Sequence, residues 1–225
     1  SIRLGARSAL LEELADLDSQ RAKLISHRGR AILEDARALV ARDGATNITT
    51  RLRPEDIVEA IGEIEEGAQI IVIGKRGEAA DFDKGHLGSN LERIVRGARR
   101  PVFVASRAFR PVSRALIAYD GGRSAMKAVD LMARNPVFAG ISFTLVTVAG
   151  QSAQAAKGLA DASALLRAAS AEVETRIVAG QPERELGRLV EEEAFDMVIM
   201  GAYGHSRIRS LVIGSTTTEM VRSCK

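Results

Sequence analysis

The residues whose spacing suggests chemistry lie near the end of the chain. Phe195-Asp196-Met197-Val198-Ile199-Met200 is an apolar run that opens into Gly201-Ala202-Tyr203-Gly204. Separated from Gly204 by nine residues, Gly214 stands directly before Ser215, Thr216 and Thr217, where a helical pattern begins. Glycine at a strand tip lets the backbone approach a ligand with no Cβ in the way. A helix N-terminus offers unpaired N–H groups and the positive end of a dipole, and so attracts phosphate. The stretch reads as an anion cradle built mostly from backbone. Thr216 and Glu219 also have the spacing of a capping box. Capping and phosphate binding use the same N–H groups, so both fit different ligand states.

Other chemistries find less support. A Walker phosphate loop needs Gly-x-x-x-x-Gly-Lys-Ser/Thr; Gly74-Lys75 invites the comparison, but position 69 is Gln and position 76 is Arg. No Gly-x-Gly-x-x-Gly follows a strand, which argues against a dinucleotide dehydrogenase, and no Ser or Cys sits in a nucleophile elbow. His27 and His86 have no companions at metal-ligand spacing. His205, Arg207 and Arg209 fall in the loop after Gly204; loop residues of these types are more often solvated than catalytic, although arginines there could reach phosphate oxygens.

The composition agrees with a packed, soluble protein. The chain has 225 residues, 46% hydrophobic and 27% charged, with 4% aromatics and no Trp. Abundant Ala, Val, Ile and Gly suits helices packed on buried parallel strands. Its 32 basic and 29 acidic residues leave a formal charge of +3, without a concentrated basic stripe, so nucleic acid is not an expected partner. Cys224 is the only cysteine, which excludes an internal disulfide and fits a reducing cytosol. No apolar run approaches the ~20 residues needed to span a bilayer, and no signal peptide opens the sequence, so a cytoplasmic location is expected.

The elements that position the glycines follow from periodicity. Residues 1–21 give a mixed amphipathic pattern without a clear strand, and a helix is expected over 22–42. A short strand is expected at 48–52, then helix 54–66, strand 69–73, helix 89–96 with Ser89 and Glu92 at capping-box spacing, and strand 101–105. Strand 115–118 ends in Tyr119-Asp120-Gly121-Gly122; helix 124–133, strand 142–148, helix 153–169, strand 173–178, helix 182–193, strand 197–200 and a helix from 216 complete the series.

The series contains a repeat. Gln69-Ile70-Ile71-Val72-Ile73-Gly74 parallels Asp196-Met197-Val198-Ile199-Met200-Gly201, Gly77 parallels Gly204, and Gly88-Ser89 parallels Gly214-Ser215. Gly74 and Gly201 lie 127 positions apart (201 − 74), whereas Ser89 and Ser215 lie 126 apart (215 − 89), so the first loop holds one extra residue. Two α/β units in tandem are expected, 1–110 and 111–225, each with parallel strands joined by helical crossovers. The first has no counterpart of the front β-α-β of the second, and the second has no counterpart of the strand at 101–105. The given chain is expected to lack both.

Gly201-x-x-Gly204, nine residues, Gly214-Ser215, with Asp120 ending an earlier strand, resembles the ATP-binding class of universal stress proteins in their tandem two-domain form. The resemblance covers nearly the whole chain as two copies and is most specific in the second. It implies an adenine nucleotide alpha hydrolase-like fold, that is, tandem doubly wound parallel sheets with ATP at the carboxyl ends of the strands, where strand order switches. Asp120 and the backbone at Val148 would hold the adenosine end, with Ala118 lining the base pocket. Gly201, Gly204, Gly214, Ser215 and Thr216 would hold ribose and phosphates, and His205 would lie beside the phosphates. The first copy departs from the pattern, with ten residues between Gly77 and Gly88, Asn90 in place of Thr216, and no partner for Asp120. Asp120 alternatively caps the helix after Gly121-Gly122.

The expected function is an adenine-nucleotide-binding regulatory or stress-response factor, with ATP (with or without Mg2+) held mainly in the second copy. Neither a water-orienting base nor an arginine clamp is assigned, so hydrolysis is expected to be slow or absent. The resemblance further implies pairing through terminal strands, as an intramolecular pseudo-dimer or a homodimer. Two other readings stand beside this one: a ligand-free dimerisation module of the same fold, and an ATP-using enzyme whose substrate pocket the sequence does not disclose.

Overall fold

The computed structural model describes residues 4–74, 89–106, 109–150, 152–202 and 220, and the chain divides into two compact units, 1–56 and 57–225. In the first unit α1 runs over Leu4–Arg42, 39 residues. It therefore begins well before residue 22, where the helix was expected to start. Leu10, Leu14 and Leu17 already keep helical spacing, and no proline precedes Pro54 to interrupt it. The residues at 48–52 are not a strand. A β-branched run needs a neighbouring strand to pair with, because β propensity is largely a matter of context; here Leu52 instead rests on α1 at Gly29.

The second unit holds two parallel sheets. Its first part comprises α2 (Ile57–Ile64), a 3-10 turn at Glu65–Gly67, β1 (Ile71–Gly74), α3 (Ser89–Gly97) and β2 (Val102–Ala105). β1 and β2 pair in parallel with Ile71 opposite Val102. Leu91 and Ile94 of α3 are buried. Glu65 is also buried, and its Oε2 accepts a hydrogen bond of 2.8 Å from the Arg99 backbone N–H, just past α3. That bond makes a buried carboxylate tolerable and ties the end of α2 to the end of α3.

The larger sheet contains β3 (Arg114–Ala118), β4 (Ser142–Val148), β5 (Val173–Val178) and β6 (Met197–Met200), in the order β5-β4-β3-β6 and all parallel. Crossovers are made by α4 (Arg123–Arg134), α5 (Ala153–Ala168) and α6 (Pro182–Glu192). Alternation along β3 separates two cores. Ala115, Ile117 and Tyr119 join Phe143 and Leu145 under α4 and α5, where Val129, Leu159 and Leu166 pack. Leu116 and Val146 face the opposite side, with Leu186 and Leu189 of α6, Phe195 and Met220. Helices cover both faces, which is the doubly wound arrangement. Each fully buried large side chain, such as Phe143 or Leu116, contributes about 1.5–3 kcal/mol.

The amino end of this sheet is fastened by Asp196. Its Oδ2 accepts from Ser113 N at 3.0 Å, Ser113 Oγ at 2.9 Å and Arg114 N at 3.0 Å. These donors, the Ser113 backbone N–H first, hold the carboxyl below the usual carboxylate range. The Arg114 guanidinium lies 4.9 Å from the centre of the Phe195 ring and donates to Glu193 O at 2.7 Å. From β3 to β6 every expected strand and helix falls within one or two residues of its bounds, and the 3-10 turn at Pro136–Phe138 was not expected.

Candidate functional site

The carboxyl ends of β3 and β6 lie side by side, Ala118 opposite Met200. Strand order reverses here, with β4 and β5 on one side of β3 and β6 on the other. In open parallel sheets the crevice beyond such a reversal is the usual ligand position.

Asp120 stands two residues beyond β3, exposed, at this rim. Two bonds extend the β3–β4 pairing past its last register pair. Tyr119 N donates to Val146 O at 2.8 Å, and the buried Thr147 hydroxyl donates to Tyr119 O at 2.7 Å. Ala118 is opposite Val146, so continuing the register brings Asp120 level with Val148. Val148 ends β4, and it packs with Ala118 and Met200 against the α6-side core. The adenosine-end residues named from the sequence, Asp120, Val148 and Ala118, thus converge at one end of one sheet.

The turn after Asp120 leads straight into α4. Asp120 Oδ1 accepts from Gly122 N at 2.8 Å, so its carboxylate secures the turn, in keeping with the capping alternative. Gly121 has φ +75 and nothing within 4 Å of where a Cβ would stand, which gives it the left-handed backbone that glycine favours and an open space in front. Gly122 is the N-cap of α4, and the helical ladder opens with Met126 N donating to Gly122 O at 3.0 Å. The N–H groups between them precede that ladder.

Gly201 follows β6 and lies close against α4. A Cβ there would stand 2.8 Å from Ser124 Cβ, 3.2 Å from Ala125 N and 3.3 Å from the Ser124 carbonyl carbon. The tip of β6 rests on the first turn of α4, so the missing Cβ serves contact within the protein. This follows from alternation, because Met200 points to the α6-side core and the next residue to the α4 face. Gly204, His205, Gly214, Ser215 and Thr216 lie outside the described residues. Beyond them Met220 is helical, 2% exposed, and joins the core with Leu116 and Val146. In the first copy Gly74 ends β1 and α3 opens at Ser89, with Asn90 exposed, while Gly77 and Gly88 lie outside the described residues.

The helix starts at the rim differ in charge, and Asp120 is the carboxylate placed there. The first turns of α4, which follows β3 at the order reversal, and of α5, which follows the next strand β4, carry no acidic residue; that of α6, which follows the outermost strand, carries Glu183 and Glu185. The positive dipole ends nearest the crevice are therefore not offset by their own helices. Ser152 caps α5, its Oγ accepting from Ala155 N at 3.1 Å. Tyr119 is held protonated, its pKa raised by burial first and then by Asp120 and Asp161. The donors, the open turn and the adjacent carboxylate fit a nucleotide: N–H groups for phosphate oxygens, and Asp120 for hydroxyl or amino hydrogens. Among the described residues no three His, Cys, Asp or Glu side chains group to hold a metal ion, and no helix is long and apolar enough to cross a membrane.

Thr147 and Tyr119 were not singled out from the sequence. A threonine inside a buried strand has no spacing signature, since its hydroxyl bond is made across strands.

Residues 111–225 match the model of the Universal stress protein family. A universal stress protein of Synechocystis sp. is 35% identical over 224 residues, covering 99% of this chain and 78% of that protein. The crystal structure of a universal stress protein from Archaeoglobus fulgidus superposes with a TM-score of 0.69 at 24% identity, over 88% of this chain and 73% of that one. It shares the fold. A universal stress protein solved in complex with cAMP superposes with a TM-score of 0.43 at 25% identity, over 51% of this chain and 91% of that one, too distant a likeness to bear on ligand choice.

Proposed function

The chain belongs to the universal stress protein family, and on that premise we propose that it is an adenine-nucleotide-binding regulatory factor that holds ATP at the β3/β6 rim. The observation that carries the reading is the convergence of Asp120, Val148 and Gly201 where strand order reverses, beside a helix start with no acid of its own. Asp120 and the backbone at Val148 take the adenosine end. Gly201, Gly204, Gly214, Ser215 and Thr216 take ribose and phosphates, with His205 alongside. Mg2+, where present, is carried in with the phosphates. Hydrolysis is slow or absent, because positioning alone leaves the attacking water without a base. A stress-response role in the cytoplasm belongs to the same proposal.

Isothermal calorimetry with ATP tests it. Binding by the unaltered chain that disappears in Gly204→Trp and Gly214→Trp supports the reading. No heat with the unaltered chain, together with no nucleotide among small molecules released on denaturation, rejects it. Multiple-turnover phosphate release above about one per second rejects the absence of hydrolysis.

A second reading, a ligand-free dimerisation module, draws on one observation. Among the described residues β2 is paired on one side only, and Val72 beside it is 65% exposed. Under either reading we take residues 1–110 and 111–225 as tandem repeats that pair through edge strands, within the chain or with a second copy. Sedimentation equilibrium separates the two arrangements, a single-chain mass supporting the first and a doubled mass the second.

A further inference from the structure

We propose that Thr147 is a positioning residue for the nucleotide, acting through Tyr119 and Asp120; this rests on the adenine-nucleotide reading of the rim. Thr147 is the last residue but one of β4, and its side chain is buried. A buried hydroxyl must find a partner, and this one donates to the Tyr119 carbonyl at 2.7 Å. Tyr119 is therefore gripped from three directions: its N–H by Val146 O at 2.8 Å, its carbonyl by Thr147, and its ring by the core under α5 beside Gly158. Regular pairing of β3 ends at Ala118, so the carbonyl bond is what carries the strand's order one peptide further. Asp120 begins at that peptide. Its carboxylate then folds back onto Gly122 N at 2.8 Å and launches α4.

Without the hydroxyl, the Tyr119 carbonyl loses this anchor, and Asp120 is held less firmly at its height beside Val148. A nucleotide that needs Asp120 and the Val148 backbone together then has to order the turn itself, at the expense of affinity. Val at position 147 matches threonine in shape without the hydroxyl, whereas Ser keeps the hydroxyl and loses a methyl group. The two variants separate bonding from packing.

The experiment combines backbone amide hydrogen exchange on the free chain with ATP titration of the same preparations. Thr147→Val is expected to speed exchange at Gly122 and to weaken ATP roughly three- to tenfold, the loss of one hydrogen bond. Thr147→Ser is expected to restore both. Adding Thr147→Val to Asp120→Asn is expected to cost no further affinity, because the route runs through Asp120. Three results overturn the proposal: unchanged Gly122 exchange in Thr147→Val, a lowered melting temperature with unchanged ATP affinity, or additive losses in the double variant. Failure of the unaltered chain to bind ATP is a separate outcome, which rejects the reading of the rim and this inference with it.

Discussion

Replacing Gly201 with alanine tests whether α4 is seated on the tip of β6. The added carbon would stand 2.8 Å from Ser124 Cβ, closer than real Cβ contacts, and 3.2 Å from Ala125 N. Its neighbours are a helix backbone and the root of a side chain, which cannot swing aside. Overpacking of this kind costs about 1–3 kcal/mol. For a chain of this size that lowers the melting temperature by about 2–12 °C, at about 2–4 °C per kcal/mol. The paired variant Gly201→Ala/Ser124→Gly removes the nearest obstacle. Glycine in a helix costs up to about 1 kcal/mol by itself, yet the double variant should lose less than the two singles together, by at least about 0.5 kcal/mol. Urea unfolding of the four proteins gives the cycle. A single variant within about 0.5 kcal/mol of the parent, or strictly additive losses, would refute the contact.

Three further outcomes follow from the same geometry. Gly121→Ala meets no atom within 4 Å, so its cost is backbone alone, about 1–2 kcal/mol for the left-handed conformation at φ +75, read by urea unfolding. Ala194, at φ +50, is a non-glycine residue in that region; Ala194→Gly should stabilise by up to about 1 kcal/mol after the added freedom of the unfolded chain is offset, seen as a higher urea midpoint. Asp196 has a lowered folded pKa, so its contribution is present above the unfolded carboxylate range and fades as pH falls through the folded value. Asp196→Asn should therefore melt lower than the parent at pH 7, and the gap should close in acid; a gap independent of pH would contradict the bonds to Ser113 and Arg114.

The second half of the chain was legible because its elements are short, strongly patterned and separated by glycine, proline or hydroxyl residues. Residues 142–148 and 173–178 are strands as expected, and Pro182 opens α6 at its first helical position. Asp120 and Val148 were named from the family resemblance rather than from periodicity, and the β3–β4 register, continued by two residues, brings them level. What resisted reading was context. The β-branched residues at 48–50 have the propensity for a strand but no partner among the described residues. Leu10, Leu14 and Leu17 carried the helical signal of α1 further forward than the mixed residues around them suggested. Glycine at 201 marks a close approach without naming what approaches, and the first turn of α4 is one neighbour that no local pattern announces. The Thr147 bond joins residues 28 positions apart, which no local pattern encodes.

The outer margins of the larger sheet are chemically unlike. On β5, Glu174 is exposed, and Arg176 bonds to both Glu174 and Glu193. A strand laid along that margin would have to displace solvent and ionic partners, which makes it a poor template. On the opposite margin β6 offers Met197, Val198, Ile199 and Met200, with no charge among them. Among the described residues, an added strand would therefore meet fewer ionic groups along β6 than along β5.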